Sequence, residues 1–337
     1  MPDARSSLRP NVGELADGLR NGDRGALSRS ITLVESTLPH DRETADELLD
    51  CVWPDRMDDS TRFAITGPPG AGKSTLIEAV GGRLLRRGRR VAVLAVDPSS
   101  HYGGGSILGD KTRMARLAAS DNAYIRPSPA AGSPGGVTRT TREVIALCEV
   151  AGFDTIIVET VGVGQAEIDV ASMVDFVLLV VLAGAGDELQ GIKRGILEVA
   201  DIVAVNKLDL DRDAVMSTRS LYRAAFGILH PRFPGWSRQV IVCSALTGVG
   251  IESVEGAVVD LSAYIAADGM KRALRTSQLR DWFVTTLRDM IVDRIAATSD
   301  ANDSLERALR DIEAGDRSPG SAARMFVERF LSFDRLG

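Results

Sequence analysis

The chain contains the glycine-rich segment Gly67-Pro68-Pro69-Gly70-Ala71-Gly72-Lys73-Ser74, which matches the pattern GxxxxGK(S/T) between an apolar run and a helical stretch. Glycines let the backbone curve with its N–H groups pointing inward, and the N-terminus of the next helix adds positive potential. The segment from Gly67 to Thr75 is therefore predicted to bind nucleotide phosphates, with Lys73 reaching the β- and γ-phosphates and Ser74 binding Mg²⁺. A plain glycine turn is the alternative, which the strand–loop–helix context disfavours.

Short apolar runs recur between residues 58 and 267 and alternate with helical stretches or loops. They are Phe63–Thr66, Val91–Val96, Ile156–Glu159, Phe176–Leu182, Ile202–Asn206 and Val240–Cys243. Because these runs are apolar throughout, they indicate strands covered on both faces, hence a mostly parallel sheet with helices on each side. The predicted fold is an α/β P-loop NTPase domain over residues 58–267, with its chemistry at the carboxyl ends of the strands.

Helical patterns flank this domain on both sides. In residues 1–57, Leu27, Ile31, Val34 and Leu38 fall at helical spacing. In residues 268–337, one apolar stripe includes Trp282, Phe283 and Leu287, and two further helices are predicted, from Ser304 to Ala314 and around Met325 and Phe326. The stripe is large for an exposed appendage, so it predicts a C-terminal homodimerisation arm; packing on the same chain's nucleotide domain is the alternative.

Composition narrows the function classes. The 337 residues include 40 Lys and Arg against 46 Asp and Glu, a formal charge of −6 that argues against nucleic-acid and anionic-membrane partners. The three cysteines lie far apart, which disfavours a zinc site or a disulfide framework and fits a reducing cytoplasm. The longest apolar run is too short to span a bilayer, and the N-terminus lacks the apolar region of a secretory signal.

A guanine pocket is predicted from two segments that follow strands. In Asn206-Lys207-Leu208-Asp209, the carboxylate of Asp209 can accept from N1–H and the N2 amino group of guanine, a donor pair that adenine lacks. Asn206 can brace the loop, and the stem of Lys207 can lie along the base. The backbone N–H groups of Ser244, Ala245 and Leu246 could meet guanine O6. These residues predict GTP and GDP as the ligands.

An acidic strand end supplies the second part of the predicted chemistry. Glu159 ends a buried run and suits Mg²⁺, usually through water, while the N–H of Gly162 can reach the γ-phosphate. A strand-end acid followed by a turn is the alternative. The glycines after Glu159 allow this segment to reorganise when the phosphate leaves.

Two further loops follow strands. Asp97 is predicted to orient the attacking water or support the Mg²⁺ shell, ahead of the glycine-rich loop Tyr102–Ser106; a helix cap and a plain loop form the alternative. In the loop Gly184–Gly195, Lys193 is predicted to approach the phosphates, and a solvated loop is the alternative. The predicted hydrolytic residues are therefore Lys73, Asp97, Glu159 and Lys193, and the predicted Mg²⁺ ligands are Ser74, Asp97 and Glu159.

These segments together resemble the MeaB/ArgK family of GTPases, which includes the MMAA proteins and belongs to the SIMIBI class. The resemblance covers roughly residues 11 to 265. Beside the glycine-rich segment it is carried by RNGDR from Arg20, AVDPSSHYGGGSILGDKTRM from Ala95, RPSP from Arg126, ETVGVGQ from Glu159, GAGDELQGIKRG from Gly184, NKLD from Asn206 and SALTGVGI from Ser244.

The resemblance implies a G-protein chaperone for an adenosylcobalamin-dependent acyl-CoA mutase such as methylmalonyl-CoA mutase. Such proteins gate cofactor loading, protect the mutase from inactivation and form homodimers through C-terminal helices. Their switch regions correspond to Asp97–Asp110, Glu159–Gln165 and Asp187–Lys193. No glutamine directly follows Gly162, so slow intrinsic hydrolysis is expected.

Three other functions compete with this interpretation. The first is a P-loop kinase or transport-associated ATPase acting on a basic amino acid, which the NKLD segment disfavours. The second is a metal-insertion GTPase for nickel enzymes, which would need His and Cys ligands that this chain has only in scattered positions. The third is a binding module with an inactive phosphate loop, against which Lys73, Ser74 and Glu159 argue.

Overall fold

The computed structural model describes residues 11–97, 114–129, 134–160, 166–183, 194–296 and 301–330. The chain divides into two compact units, Met1–Gln278 and Leu279–Gly337. The first unit holds the sheet and the predicted nucleotide-binding segments. The domain boundaries predicted from the sequence, at 57/58 and 267/268, stay predictions.

Among the described residues, seven strands form one sheet in the order β3-β2-β4-β1-β5-β6-β7. Neighbouring strands in this sheet are all parallel, which confirms the predicted α/β class. The strands are β1 (Thr61–Thr66), β2 (Val91–Asp97), β3 (Ala123–Pro129), β4 (Thr155–Thr160), β5 (Phe176–Leu182), β6 (Ile202–Asn206) and β7 (Gln239–Val242).

Helices connect these strands and flank them on both sides. Those of the first unit are α1 (Val12–Arg20), α2 (Arg24–Glu35), α3 (Pro39–Val52), α4 (Lys73–Arg86), α5 (Ala115–Ala118), α6 (Pro134–Val150), α7 (Ala166–Ala171), α8 (Arg194–Val199), α9 (Arg212–Ile228) and α10 (Ile251–Ala266). Helix α11 (Met270–Ala296) contains the boundary between the units, and α12 (Ala301–Glu313) and α13 (Pro319–Phe330) belong to the second unit.

The N-terminal helices form part of the core of the first unit. Leu27 and Ile31 of α2 pack in one buried cluster with Leu94 of β2 and Val144 of α6. Side chains also join this layer to the sheet, since Arg126 of β3 pairs with Glu35 of α2. Residues 11–52 therefore close one face of the sheet.

The opposite face of the sheet carries α4 and α10. Phe63 of β1 and Ile157 of β4 pack there with Ile77 of α4 and Val258 of α10. Successive strand residues point to opposite faces, and this alternation sends Ala64 to the N-terminal helices instead. The sheet is thus buried on both sides, as its continuously apolar strands predicted.

The stripe predicted across Leu27 to Leu38 ends earlier than expected. Helix α2 stops at Glu35, and Leu38 precedes α3 with an extended backbone (φ −75°, ψ 131°) and an exposed side chain. Pro39 is the physical reason, because the residue before a proline is pushed out of the helical region.

Strand β3 was not predicted from the sequence. It forms one edge of the sheet, pairing only with β2 among the described strands. Pro127 and Pro129 lack the N–H needed to donate to a further strand, and such prolines are tolerated at sheet edges. The two prolines also give this segment a sequence pattern that is typical of a loop.

A buried ionic network ties the start of α11 to the amino ends of two strands. Arg275 donates to both carboxylate oxygens of Asp175, each at 2.9 Å, and to the carbonyl of Ser60 at 2.7 Å. Arg62 donates to Glu149 at 2.6 and 2.8 Å in the same network. Asp175 directly precedes β5 and Ser60 directly precedes β1, so α11 begins as part of the first unit.

The second unit consists of the rest of α11 with α12 and α13. The helix predicted from Ser304 to Ala314 is α12, and Gly315 follows it with a positive φ of 78° that favours glycine. Several large apolar side chains of this unit are exposed, most of all Phe283 at 67%.

Two findings bear on the compositional predictions. Cys51, Cys148 and Cys243 all carry free thiols. Across the described ranges, none of the helices combines the length and the apolar character that crossing a membrane requires.

Candidate nucleotide-binding site

The segment between β1 and α4 forms a tight loop that requires glycine. Gly67, Gly70 and Gly72 have φ values of 144°, 77° and 90°, which side chains disfavour. Space is also lacking: a Cβ on Gly67 would lie 2.0 Å from the carbonyl oxygen of Val180, and one on Gly72 would lie 2.5 Å from Nδ2 of Asn206. The loop therefore sits against β5 and the NKLD segment as closely as backbone can approach.

Lys73 opens α4 and folds back over this loop. Its Nζ donates to the carbonyl oxygens of Gly67 at 2.7 Å and Pro68 at 3.1 Å, and the side chain is largely buried. The ammonium is thus held at the N-terminus of α4, where backbone N–H groups and the helix dipole already favour an anion. This arrangement can bind phosphate.

Ser74 and Glu159 bring two oxygen ligands together at the carboxyl ends of the central strands. The hydroxyl of Ser74 donates to Oε1 of Glu159 at 2.9 Å, and Glu159 is buried in β4 beside β1. A hydroxyl and a carboxylate are the hard ligands that Mg²⁺ prefers, so the residues fit this ion. Strand β2 ends at Asp97 and lies beside β4, with Ala95 opposite Glu159, so Asp97 reaches the same edge of the sheet.

Asn206 braces the NKLD segment against the phosphate loop. Its Nδ2 donates to the carbonyl of Ala71 at 2.8 Å, and its Oδ1 accepts from the amide of Ala245 at 2.9 Å. The next residue, Lys207, takes a positive φ of 64°, which turns the chain sharply out of β6. The three predicted segments are therefore joined through one buried amide.

The side chain of Asp209 is oriented by Ser244. The Ser244 hydroxyl donates to Oδ1 of Asp209 and accepts from the amide of Thr247 at 3.1 Å. Asp209 is itself exposed, so its carboxylate is accessible to a ligand while Oδ1 is held by Ser244. Leu246 is 79% exposed on the segment that also holds Ser244, which leaves apolar surface beside this carboxylate.

Several predicted residues fall outside this description. Gly162 and Lys193 lie outside the described residues, as do the loop Tyr102–Ser106 and most of Gly184–Gly195, and for Asp97 only the backbone is described. Thr75 is described and is exposed on α4.

Sequence reasoning missed the side chains that support the predicted loops. Glu78 of α4, one turn beyond Ser74, accepts from the amides of Arg116 at 2.8 Å and Leu117 at 3.2 Å, which fixes α5 to the helix of the phosphate loop. For Ser244, the sequence predicted a role of the backbone N–H group and none of the hydroxyl. The available signal for Ser244 was a serine that follows one strand while the NKxD acid follows another. No feature of the sequence pointed to Glu78.

A glycine loop with Lys73 and Ser74, an acid on the neighbouring strand and a braced NKLD segment define a P-loop GTPase. The match to a family model is more specific: residues 27–300 match the model described as methylmalonyl-CoA mutase-associated GTPase MeaB. The chain belongs to this family of GTPases, and it binds guanine nucleotide as they do.

The chain is also similar to individual proteins and to a solved structure. A probable GTPase of Mycobacterium tuberculosis is 49% identical over 319 residues, covering 94% of each chain. The mitochondrial methylmalonic aciduria type A homolog of Mus musculus is 42% identical, covering 95% of this chain and 80% of the relative. The crystal structure of a LAO/AO transport system kinase superposes with a TM-score of 0.77 at 34% identity, covering 97% of this chain and 98% of that one.

Proposed function

We propose that this GTPase hydrolyses GTP with Mg²⁺ and serves as a chaperone for an adenosylcobalamin-dependent acyl-CoA mutase, gating cofactor loading and protecting the mutase from inactivation. The observation that carries the nucleotide part is the linkage of the three segments through Asn206, which reaches both Ala71 and Ala245. A base held by Asp209 would thereby be fixed relative to the phosphates held by Lys73.

Each residue has a proposed task in binding. The N–H groups from Gly67 to Thr75 and the Lys73 ammonium would hold the β- and γ-phosphates. Ser74 and Glu159, supported by Asp97, would hold Mg²⁺, which when bound neutralises charge on the phosphate oxygens. Asp209 would accept from guanine N1–H and N2, Lys207 would lie along the base, and the N–H groups of Ser244, Ala245 and Leu246 would face O6.

Hydrolysis needs groups that act on the γ-phosphate and on water. The N–H of Gly162 would bind the γ-phosphate, and Asp97 would orient the attacking water. Lys193 would neutralise the charge that develops in the transition state when a partner presses its loop inward. Basal hydrolysis is expected to be slow, since no glutamine directly follows Gly162.

The partner is inferred from the comparisons. The family model is described as associated with methylmalonyl-CoA mutase, and the mouse relative is named for methylmalonic aciduria type A. If GTP tightens the complex with the mutase, the mutase must tighten GTP binding by the same factor.

The test is GTP hydrolysis with and without purified methylmalonyl-CoA mutase, for the wild type, Lys193→Ala and a control. Arg223→Ala is the control because Arg223 is an exposed cation on α9. The mutase should stimulate the wild type and the control, and Lys193→Ala should lose most of the stimulation while keeping basal hydrolysis. Equal stimulation of all three proteins would remove Lys193 from this role, and no stimulation or complex would overturn the partner.

A kinase for a basic amino acid is the second candidate, since the similar crystal structure bears the name of a transport system kinase. The fixed carboxylate of Asp209 favours guanine over adenine and so disfavours an ATP-dependent kinase. Incubation with labelled GTP or ATP and basic amino acids would separate the two functions, because a kinase would transfer the label to the amino acid.

A homodimer built on the second unit is also proposed. Its exposed apolar side chains provide a surface that a second copy could cover; they include Phe283, Leu287, Met290, Val292, Leu305, Leu309 and Met325. The cytoplasmic location stays a prediction.

A further inference from the structure

Two buried threonines join the carboxyl ends of the strands β1, which leads to the phosphate loop, and β4, which contains Glu159. The hydroxyl of Thr160 donates to Oγ1 of Thr66 at 2.9 Å, and the two residues are 2% and 0% exposed. Thr66 is the last residue of β1, directly before Gly67, and Thr160 is the last residue of β4, directly after Glu159.

The hydroxyl pair lies one position beyond the paired backbone. The register of β1 and β4 ends with Ile65 opposite Glu159, so the threonines form the next side-chain rung of these strands. Directly after Thr66 the phosphate loop begins at Gly67. The pair is therefore the last described link between β1 and β4 at their carboxyl ends.

The pair and the acid occupy opposite faces of the sheet. Side chains alternate along a strand, so Thr160 shares a face with Val158, which packs with the N-terminal helices. Glu159 points the other way and meets Ser74 of α4. The end of β4 is thus held from both faces, by a carboxylate contact on one and by the hydroxyl pair on the other.

We propose that the Thr66–Thr160 hydroxyl pair positions Glu159 against the phosphate loop for Mg²⁺-dependent GTP hydrolysis. The proposal rests on the function proposed above for Glu159. Both threonines are positioning residues, since they act through the acid and the backbone beside it. Small displacements of catalytic groups lower rates strongly, so a loosened strand end reduces turnover more than it reduces GDP binding by the loop.

Valine has nearly the shape of threonine and lacks the hydroxyl, so it tests the pair directly. Thr66→Val or Thr160→Val leaves one buried hydroxyl without its partner, which lowers stability, whereas the double variant removes both hydroxyls and can be nearly neutral. A structural role would therefore recover in the double variant together with stability. A positioning role would not, because the bond itself is still missing.

The experiment measures kcat, the Mg²⁺ dependence of hydrolysis, GDP affinity and thermal midpoint for both single variants and the double variant. We expect kcat to fall about tenfold in all three, GDP affinity to change less than about threefold, and the thermal midpoint to recover in the double variant. Thr66→Ser and Thr160→Ser keep the hydroxyl and should retain near wild-type kcat. Thr155→Val, at the other end of β4, is the matched buried control and should leave kcat unchanged.

Two results would overturn the positioning role. One is wild-type kcat in the double variant, and the other is kcat that recovers in step with stability. Glu159→Gln is measured in parallel to separate the two proposals. If that variant loses Mg²⁺-dependent hydrolysis while the double valine variant keeps it, only the role of the pair fails. If Glu159→Gln hydrolyses GTP at the full rate, the role of Glu159 fails, and the role of the pair fails with it.

Discussion

Asn206 and Ala71 are 135 positions apart in the sequence, yet the Nδ2 of Asn206 donates to the carbonyl of Ala71 at 2.8 Å. The same side chain accepts from the amide of Ala245. One amide therefore sets the distance between the phosphate loop and both segments of the proposed base pocket.

Replacing this amide should weaken every nucleotide complex. Asn206→Ala leaves a buried carbonyl and a buried amide without partners and frees the loops to move apart, so GDP and GTP affinities should each fall at least about tenfold. Stopped-flow dissociation of a fluorescent guanine nucleotide measures the change. Asn122→Ala, at an exposed asparagine, is the control; unchanged dissociation in Asn206→Ala would contradict the bracing role.

Asp209 should determine the choice of base. GTP is expected to bind at least about a thousandfold more tightly than ATP, because a site built around paired hydrogen bonds rejects ligands that lack them. Asp209→Asn should shift preference toward XTP, and Ser244→Ala should reduce discrimination by freeing the carboxylate. Calorimetry that gave equal GTP and ATP affinities would refute the guanine pocket.

Substitutions of Lys73 and Glu159 should impair different steps, nucleotide binding for Lys73 and hydrolysis for Glu159. Lys73→Ala removes a cation from the phosphates in every nucleotide state and should weaken binding at least about a hundredfold. Glu159→Ala should chiefly lower Mg²⁺-dependent hydrolysis and spare GDP affinity. Titration calorimetry and phosphate release measure the two effects, with the exposed Glu252→Ala as control. Full turnover in Glu159→Ala would exclude this acid from the site.

Asp201 should make stability depend on acid pH. Burial raises the pKa of its carboxyl to about 6, although Arg232 and the amide of Val177 act in the opposite direction. The folded state then binds more protons than the unfolded state between about pH 4 and pH 6. The free energy of unfolding therefore falls by up to about 3 kcal/mol as pH rises through this window, and above it this contribution no longer changes.

The difference between wild type and Asp201→Asn isolates this effect, since other titrating groups contribute to both proteins. The free energy of unfolding of the wild type should fall relative to the variant between pH 4 and about pH 6.5. Urea unfolding at several pH values measures it. A difference independent of pH would show that Asp201 is charged throughout this range.

Removal of the second unit should abolish the proposed dimer. A protein that ends at Gln278 keeps Arg275 with its partners and should be a monomer that binds GDP, by light scattering and calorimetry. A protein that ends at Ala267 loses Arg275 and leaves Asp175 buried without its cation, which costs about 3–5 kcal/mol. If the protein ending at Gln278 were still a dimer, the dimer interface would lie within the residues that remain and not in the second unit.

The sheet was largely predictable because six of its strands contain a continuous apolar run. Edge strand β3 was not, since Pro127 and Pro129 remove the strand signal while leaving the pairing with β2 intact. The loops of the site were predictable because phosphate and guanine binding demand certain residue types at short spacing. Their supports were not predicted: Ser244 contacts Asp209 across 35 positions and Glu78 contacts Arg116 across 38. The position of Ser244 after a strand was the only signal for the first pair, and no local pattern indicates the second.

The Arg275 network also limits how this protein can exchange parts with its relatives. Arg275 lies within a helix of the C-terminal region, but Asp175 and Ser60 directly precede strands of the sheet, 100 and 215 positions earlier. A chimaera joined at residue 268 would take Arg275 from one parent and Asp175 and Ser60 from the other. The buried network would form only where both parents share the arginine and the aspartate. A junction placed after Gln278 takes Arg275, Asp175 and Ser60 from the same parent, so the network is inherited whole.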